Sequence, residues 1–198
     1  MKKIKLVLIG AIMVFEIGAN AQTEKPAKEP TLGGMFMNYA DYKDNKLTYE
    51  IDCAQERFKI KLHDFFSKSY VDVTSNGKKY TLQKKDVYGF KDCIGNVYRF
   101  FGNEEYHLAE TGNITIYSIQ RSVPEGKVMK NVNVYFFSAK EDGMIQELTI
   151  ANLKLAFPTN HKFHDMLDET FKNVEEVSQY DSFHKMYKVN HLYQMSSL

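Results

Sequence analysis

The sequence predicts an α+β fold, in which a β-rich antiparallel meander of about eight strands precedes about three short C-terminal helices. Over residues 45–148, apolar and polar residues alternate in short runs that Gly and Asn interrupt, a pattern typical of antiparallel strands. Over residues 149–195, apolar residues recur at intervals of three and four, which indicates amphipathic helices. Strands this short and numerous predict a curled sheet or a partly closed barrel.

The composition indicates one globular domain, which we place at residues 33–198. The chain has 198 residues, of which 43% are hydrophobic and 26% charged. These values exclude a collagen, a coiled coil and a wholly disordered chain. Residues 22–32 are polar, carry two prolines and lack an apolar period, so we expect them to form a tether ahead of the domain.

Residues 1–21 have the three parts of a secretory signal peptide. A basic start precedes an apolar run at residues 6–15, and Ala19-Asn20-Ala21 then fits the small-x-small cleavage pattern. A retained membrane anchor is the alternative, but the apolar run is shorter than the roughly 20 residues that a bilayer requires. We therefore expect cleavage, no membrane span in the mature chain, and a location in the periplasm, at the outer envelope or outside the cell.

Two hairpins are predicted near the start of the meander. Asn76 and Gly77 separate two alternating runs, and Asn-Gly favours a tight hairpin because both residues tolerate positive φ. A second hairpin is predicted where Gly95 and Asn96 separate residues 87–91 from residues 97–101. Further strands are expected in the runs at residues 47–51, 58–62, 105–108, 114–119, 132–137 and 144–148.

The helices follow from the change of period near Thr149. Thr149 is a suitable N-cap for a first short helix, which Pro158 ends. A second helix is predicted over residues 161–177, because six residues share one face: Phe163, Leu167, Thr170, Phe171, Val174 and Val177. Ser178-x-x-Asp181 resembles a capping box, and it predicts a last helix around residues 183–187.

Cys53 and Cys93 are expected to form a structural disulfide, because two cysteines in an exported chain are most simply a pair. The bond would close a loop of about 41 residues, worth about 3.9 kcal/mol in the chain-entropy model. Free buried thiols are the next alternative. A nucleophilic cysteine is disfavoured, since neither residue has a neighbouring His or a CxxC partner.

The charges argue against nucleic acid as a partner, because the mature chain is nearly neutral. Their distribution is uneven. Residues 53–102 carry twice as many basic as acidic side chains, and residues 141–181 carry three times as many acidic as basic ones. Two solvated surfaces explain this pattern, and a basic face for an anionic envelope polymer is the functional alternative.

The aromatic residues are predicted to fill the core. Tyr and Phe number 13 and 14, Trp is absent, and most of them fall at inward positions of strands or on the helical stripe. A sugar-stacking surface is the alternative, although it lacks the Trp ring that stacks best. Tyr98-Arg99-Phe100-Phe101 is interpreted as a central strand, with Tyr98 and Phe100 on one face.

The known catalytic motifs of hydrolases, zinc proteases and nucleotide-binding enzymes are absent from the sequence. One group has the chemistry of a transition-metal site. His161, His164 and Asp168 lie on one side of the predicted helix, opposite its apolar stripe and on the same side as Glu175. A solvated polar face is the alternative, because an open helix surface offers neither a second shell nor exclusion of water.

Several segments together resemble a group of small exported hypothetical proteins of Gram-negative bacteria that have no assigned activity. The segments are residues 49–53, 79–82, 87–93, 95–100 and 160–165. The resemblance covers most of the mature chain and implies an envelope or secreted setting. It carries over no catalytic residue.

Three functions are compatible with these observations. The first is a non-enzymatic module that binds an envelope protein, a polymer or a small ligand, which the missing catalytic motifs favour. The second is a metal-dependent enzyme that uses the C-terminal histidines, with a transition metal as its cofactor. The third is a structural component of the envelope. No other cofactor is expected.

Overall fold

The computed structural model describes residues 32–54, 60–62 and 68–197. The predicted signal peptide and all but the last residue of the predicted tether lie outside these ranges. In chain order the strands are β1 (Leu32–Phe36), β2 (Thr48–Asp52), β3 (Ile60–Lys61), β4 (Tyr70–Ser75), β5 (Lys78–Gln83), β6 (Gly89–Lys91), β7 (Val97–Phe101), β8 (Glu104–Glu110), β9 (Thr115–Glu125), β10 (Val128–Ser138), β11 (Gln146–Glu147), β12 (Tyr180–Asp181) and β13 (Met186–Tyr187). The helices are α1 (Tyr39–Lys43), α2 (Ile150–Ala156), α3 (His161–Thr170), α4 (Val174–Val177) and α5 (Lys188–Ser196), with a 3-10 turn at Lys84–Asp86.

The main sheet has 8 antiparallel strands in the order β11-β10-β9-β8-β7-β6-β1-β2. The predicted α+β class and the predicted antiparallel sheet are thus confirmed. The prediction of a partly closed barrel is wrong, because β2 and β11 are the two ends of an open sheet. A second sheet and the C-terminal helices cover one of its faces, so apolar side chains are buried there without closure of the sheet.

The strand β1, which the sequence did not predict, lies between β2 and β6. Met35 pairs with Thr48 on one side and with Phe90 on the other. Its pattern is obscured by Gly33 and Gly34, which contribute no apolar side chain to the alternation. Close packing explains Gly33, where a Cβ atom would lie 3.0 Å from the carbonyl oxygen of Lys91.

The second sheet consists of β3, β4 and β5 and packs beside the N-terminal half of the main sheet. Val71 and Val73 of β4 are fully buried in one cluster with Met35, Ile51 and Phe90 of the main sheet. The predicted hairpin between β4 and β5 is confirmed: Asn76 and Gly77 have φ of 50° and 73°.

The helices α2, α3 and α5 cover the same face of the main sheet at β9 and β10. Ile116 and Phe137 from these strands pack in one cluster with Leu153, Phe163 and Leu167 from the helices. The side chain of Thr149 accepts a hydrogen bond from the backbone N–H of Asn152, which confirms the predicted N-cap of α2.

Three details of the predicted helices are wrong. The helices are not all C-terminal, because α1 follows β1 and begins at the N-cap Asn38. The stretch from 161 to 177 is not one helix, since α3 ends at Thr170 and Asn173 caps a separate α4. The helix expected around residues 183–187 is instead the hairpin of β12 and β13, and α5 begins only at Lys188.

The carboxylate of Asp181 explains why this hairpin forms. Its Oδ1 atom accepts hydrogen bonds from the backbone N–H groups of Phe183 and His184, at 2.9 and 3.1 Å. Lys185 then takes a φ of 55°, which reverses the chain direction where a helix would need a negative φ. A residue suited to cap a helix here closes a turn between two strands.

Candidate functional site

The β9–β10 hairpin extends beyond the strands that flank it. The two strands pair along their whole length, from Thr115–Ser138 to Glu125–Val128. β8 pairs with β9 only between Ile116 and Ser118, and β11 pairs only with Phe136 and Phe137 of β10. Residues 119–134 therefore form a two-stranded arm, closed by a turn in which Gly126 has a φ of 65°.

One side of the arm is a strand edge with unpaired backbone groups. The backbone N–H of Leu148 donates to the carbonyl oxygen of Tyr135 at 3.0 Å, so the backbone groups of Tyr135 point away from β9. Because direction alternates along a strand, Met129, Asn131 and Asn133 point the same way. Within the described residues no strand pairs with this side of Val128–Val134, which we call the free edge.

The opposite side of the arm is protected. Pro124 pairs with Met129 across the hairpin, at a β9 position whose backbone nitrogen points away from β10. A proline at such a position removes no hydrogen bond from the hairpin and prevents another strand from pairing there. An ion pair of 2.9 Å between Arg121 and Glu104 holds the nearer part of β9 to β8. The two edges of the arm are therefore not equivalent.

A cleft of about 270 Å³ lies where the free edge meets β11. Tyr135, Asn133 and Val174 line it, together with the acidic residues Glu147 and Glu175. Both glutamates are exposed, and neither carboxylate pairs with a cation of the described residues. Val174 was predicted to face the core and is instead 55% exposed, because the chain breaks after α3 and α4 starts in a new orientation.

The free edge itself combines apolar and basic side chains. Val128 and Met129 are 65% and 64% exposed. The charge of Lys130 is offset by Glu125, whose carboxylate lies 3.3 Å from the Lys130 Nζ atom. Lys127, at the tip, is exposed and forms no ion pair with a described carboxylate. The arm thus presents unpaired backbone groups, apolar surface and one uncompensated cation.

The predicted metal residues are engaged with other parts of the protein. His161 and His164 lie on α3 with ring centroids 5.8 Å apart, and the Nε2 atom of His164 lies 2.9 Å from the carbonyl oxygen of Phe157. The Nζ atom of Lys154 donates to the Asp168 carboxylate at 2.6 Å. In the described ranges no group of three or more His, Cys, Asp or Glu side chains is arranged to bind a metal ion. The metal hypothesis therefore gains no support from the geometry.

The other two C-terminal histidines form a stacked pair. The rings of His184 and His191 are 3.8 Å apart and nearly parallel. The Nδ1 atom of His184 lies 2.7 Å from Oδ2 of Asp181. Hydrogen bonds from the side chain and backbone of His184 lower the pKa of Asp181 to about 2. This contact stabilises the turn between β12 and β13.

Arg99 is 7% exposed and lies in a strand at the middle of the main sheet, as the sequence predicted. Its guanidinium donates to the carbonyl oxygens of Glu141 and Asp142, both at 3.0 Å, and to the hydroxyl of Tyr117 at 3.1 Å. It also lies 5.4 Å from the ring of Tyr88, whose pKa is raised by burial. Arg99 therefore fixes the loop that joins β10 to β11, and so fixes where the free edge ends.

The predicted disulfide between Cys53 and Cys93 is confirmed, with Cα atoms 5.4 Å apart. The two cysteines follow β2 and β6, which flank β1 on either side. A Cβ atom on Gly33 of β1 would lie 3.5 Å from the Sγ atom of Cys93. The bond therefore joins three neighbouring strands at one end of the sheet.

No protein-family model matches the sequence, and no curated protein or solved structure shows significant similarity to it. Among the described residues, no helix is both long and apolar enough to cross a membrane.

The sequence did not predict the arm or the cleft. It predicted strands at 114–119 and 132–137, which are the paired bases of β9 and β10, and stopped short of the tip. A signal was present, because Val123 and Val128 continue the alternation on either side of Gly126-Lys127. Glycine at the first position of a two-residue turn is typical of a hairpin. The cleft has no such signal, since distant segments line it.

Proposed function

We propose that this protein is an exported, non-enzymatic binding module that takes up an extended segment of a partner protein as an additional strand on the free edge. The observation that carries the proposal is the row of outward backbone groups at Met129, Asn131 and Asn133. Edges of this kind bind peptides through main-chain hydrogen bonds, while neighbouring pockets select the side chains.

The chemistry around the edge defines the segment that would bind best. A strand added to β10 runs towards the cleft, where Glu147 and Glu175 favour a basic side chain. The exposed surfaces of Val128 and Met129 favour aliphatic residues at the other end. We therefore expect a preference for an extended segment with alternating apolar residues and a Lys or Arg near one end.

Export is supported by two features. The N-terminal 21 residues have the pattern of a signal peptide. The bond between Cys53 and Cys93 is typical of a protein that folds in an oxidising compartment. An envelope or extracellular partner follows from this location.

The test uses the mature chain, residues 22–198, with its disulfide intact. The probe is a short fluorescein-labelled peptide of alternating Val and Thr with Lys at its N-terminal end, which antiparallel pairing with β10 places at the cleft. Fluorescence anisotropy measures binding. Asn131→Pro removes an outward N–H without touching the pairing with β9, whereas Asn131→Ala keeps it. We expect at least tenfold weaker binding by the proline variant and normal binding by the alanine variant. Equal binding by both variants would refute strand addition.

A second peptide tests the role of the cleft. Replacing the terminal Lys of the probe by Glu reverses the charge that meets Glu147 and Glu175. We expect the acidic peptide to bind several-fold more weakly at low salt, with the difference shrinking as salt is added. An acidic peptide that binds as well as the basic one would show that the cleft does not contribute to selection.

A further inference from the structure

The free edge and the cleft are complementary to the arm of another copy of the same chain. We propose that the protein forms a symmetric dimer in which two β10 strands pair antiparallel about Asn131, with Lys127 of each copy in the cleft of the other. This inference rests on the proposed function, because it uses the same edge and names a second copy as the segment bound there.

The direction of the backbone groups restricts the possible registers. Of the outward backbone groups, the Tyr135 carbonyl already accepts from Leu148, so Met129, Asn131 and Asn133 are the positions left to face one another across the twofold axis. A register centred on Asn131 pairs it with itself and pairs Met129 with Asn133 of the second copy. Two antiparallel strands related in this way present identical surfaces to each other, as a twofold interface requires.

The neighbouring registers are disfavoured by charge and by space. Centring on Lys130 would place two ammonium groups directly opposite each other. Centring on Val132 would move Val128 of the second copy against Phe136, where β11 already pairs. The register about Asn131 is the longest that β11 leaves free.

Side chains also match in this register. Lys130 faces Val132 of the second copy and keeps its own ion pair with Glu125. Val128 faces Val134, so two aliphatic side chains that are now exposed or half-buried cover each other. Asn131 faces Asn131, whose amides are able to bond to each other. No like charges are brought directly opposite.

The cleft supplies the charge complementarity. In this register the paired segment ends at Val134, because Leu148 already bonds to Tyr135, and the turn that carries Lys127 of the second copy leaves the strand beside the cleft. The uncompensated ammonium of Lys127 then lies on the face of Tyr135, nearest Glu175, while Glu147 adds negative charge from the other side of β11. Symmetry repeats the contact at both ends of the interface, so each copy provides one cation and one acidic cleft.

The first experiment measures the oligomeric state of the mature, disulfide-bonded chain by sedimentation velocity over a concentration series. We expect a concentration-dependent dimer for the natural chain and for Asn131→Ala. Asn131→Pro is expected to weaken the dimer at least tenfold, with an unchanged circular dichroism spectrum. A dimer that tolerates Asn131→Pro would place the contact elsewhere and overturn the inference.

The second experiment reverses charges at exposed positions, which spares the fold. Lys127→Glu alone puts an acid against an acidic cleft, and Glu147→Lys with Glu175→Lys puts a base against a basic cleft. Each variant is expected to dimerise at least tenfold more weakly with itself. A mixture of the two is expected to form heterodimers, because both contacts are then between opposite charges. Heterodimers no stronger than either homodimer would refute the assigned contact.

The outcomes separate this inference from the proposed function. A chain that stays monomeric but binds the peptide probe, with loss on Asn131→Pro, overturns the dimer and supports strand addition of another partner. A monomer that does not bind the probe overturns both. A dimer that the probe dissociates supports both.

Discussion

The disulfide provides a quantitative test of the energetics of the fold. Replacing both cysteines, Cys53→Ala with Cys93→Ala, removes the bond without leaving a free thiol. The sequence separation of 40 means that the bond closes a loop of about 41 residues in the unfolded chain. The chain-entropy model then gives a loss of about 3.9 kcal/mol in the free energy of unfolding at 25 °C.

We expect the loss of stability to affect the N-terminal half of the domain most, because the bond lies there. The closed loop contains the second sheet, whose residues Val71 and Val73 are packed against β1 and β6. Without the bond, the unfolded chain has more conformations to lose before these strands meet. For a chain of this length we expect the melting temperature to fall by about 8–16 °C.

Urea denaturation of the natural chain and the double variant measures the difference directly. Ile94→Ala is a matched control, because Ile94 neighbours Cys93 and is 83% exposed. The control is expected to leave the free energy of unfolding within about 0.5 kcal/mol of the natural value. A loss below about 1 kcal/mol in the double variant, with an unchanged urea dependence, would refute the reasoning.

Three other perturbations follow from contacts of the structure. Lys84→Ala removes a buried ammonium that donates to the carbonyl oxygen of Asn103 at 2.7 Å and to the Glu105 carboxylate at 3.1 Å. Urea denaturation is expected to show a loss of about 3 kcal/mol, and a loss under about 1 kcal/mol would contradict a stabilising role. Asn190→Ala removes an amide that accepts a hydrogen bond from the N–H of Ile114 and donates one to its carbonyl oxygen. We expect the free energy of unfolding to fall by about 2–3 kcal/mol and amide hydrogen exchange in α5 to become faster. Unchanged exchange would contradict this role. His184→Ala is expected to raise the pKa of Asp181 from about 2 towards 3.8, as NMR of the carboxyl group would show. Because folding lowers that pKa, the contact stabilises the hairpin fully above pH 3.8, and this stabilisation is lost as the pH falls through about 2. An Asp181 pKa that does not move in the variant would refute the assignment.

Local signals in the sequence predicted local structure well. Asn76-Gly77 identified a hairpin because the two residues favour the positive φ that the turn needs. Thr149 identified the start of α2 because its hydroxyl accepts a backbone hydrogen bond. The disulfide followed from pairing the two cysteines of a chain that was expected to be exported.

Features set by distant segments were missed. β1 is a strand because β2 and β6 pair with it, although its two glycines hide the alternation. The Ser178-x-x-Asp181 pattern is compatible with the start of a helix and with a turn. The packing of Tyr180 on Tyr187 across the hairpin favours the turn. The cleft lies between β10, β11 and α4, so no single stretch of sequence encodes it.

The position of β1 between β2 and β6 affects the order in which the strands of the main sheet pair. This strand is synthesised before the rest of the described chain, yet one of its two neighbours, β6, ends only at Lys91. β1 lacks its second neighbour until β6 pairs with it, and pairings between distant segments form slowly. Oxidation of Cys53 with Cys93 fixes the two strands that enclose β1. Once Cys53 and Cys93 are joined, β2 and β6 cannot move apart at this end, so β1 stays enclosed between them.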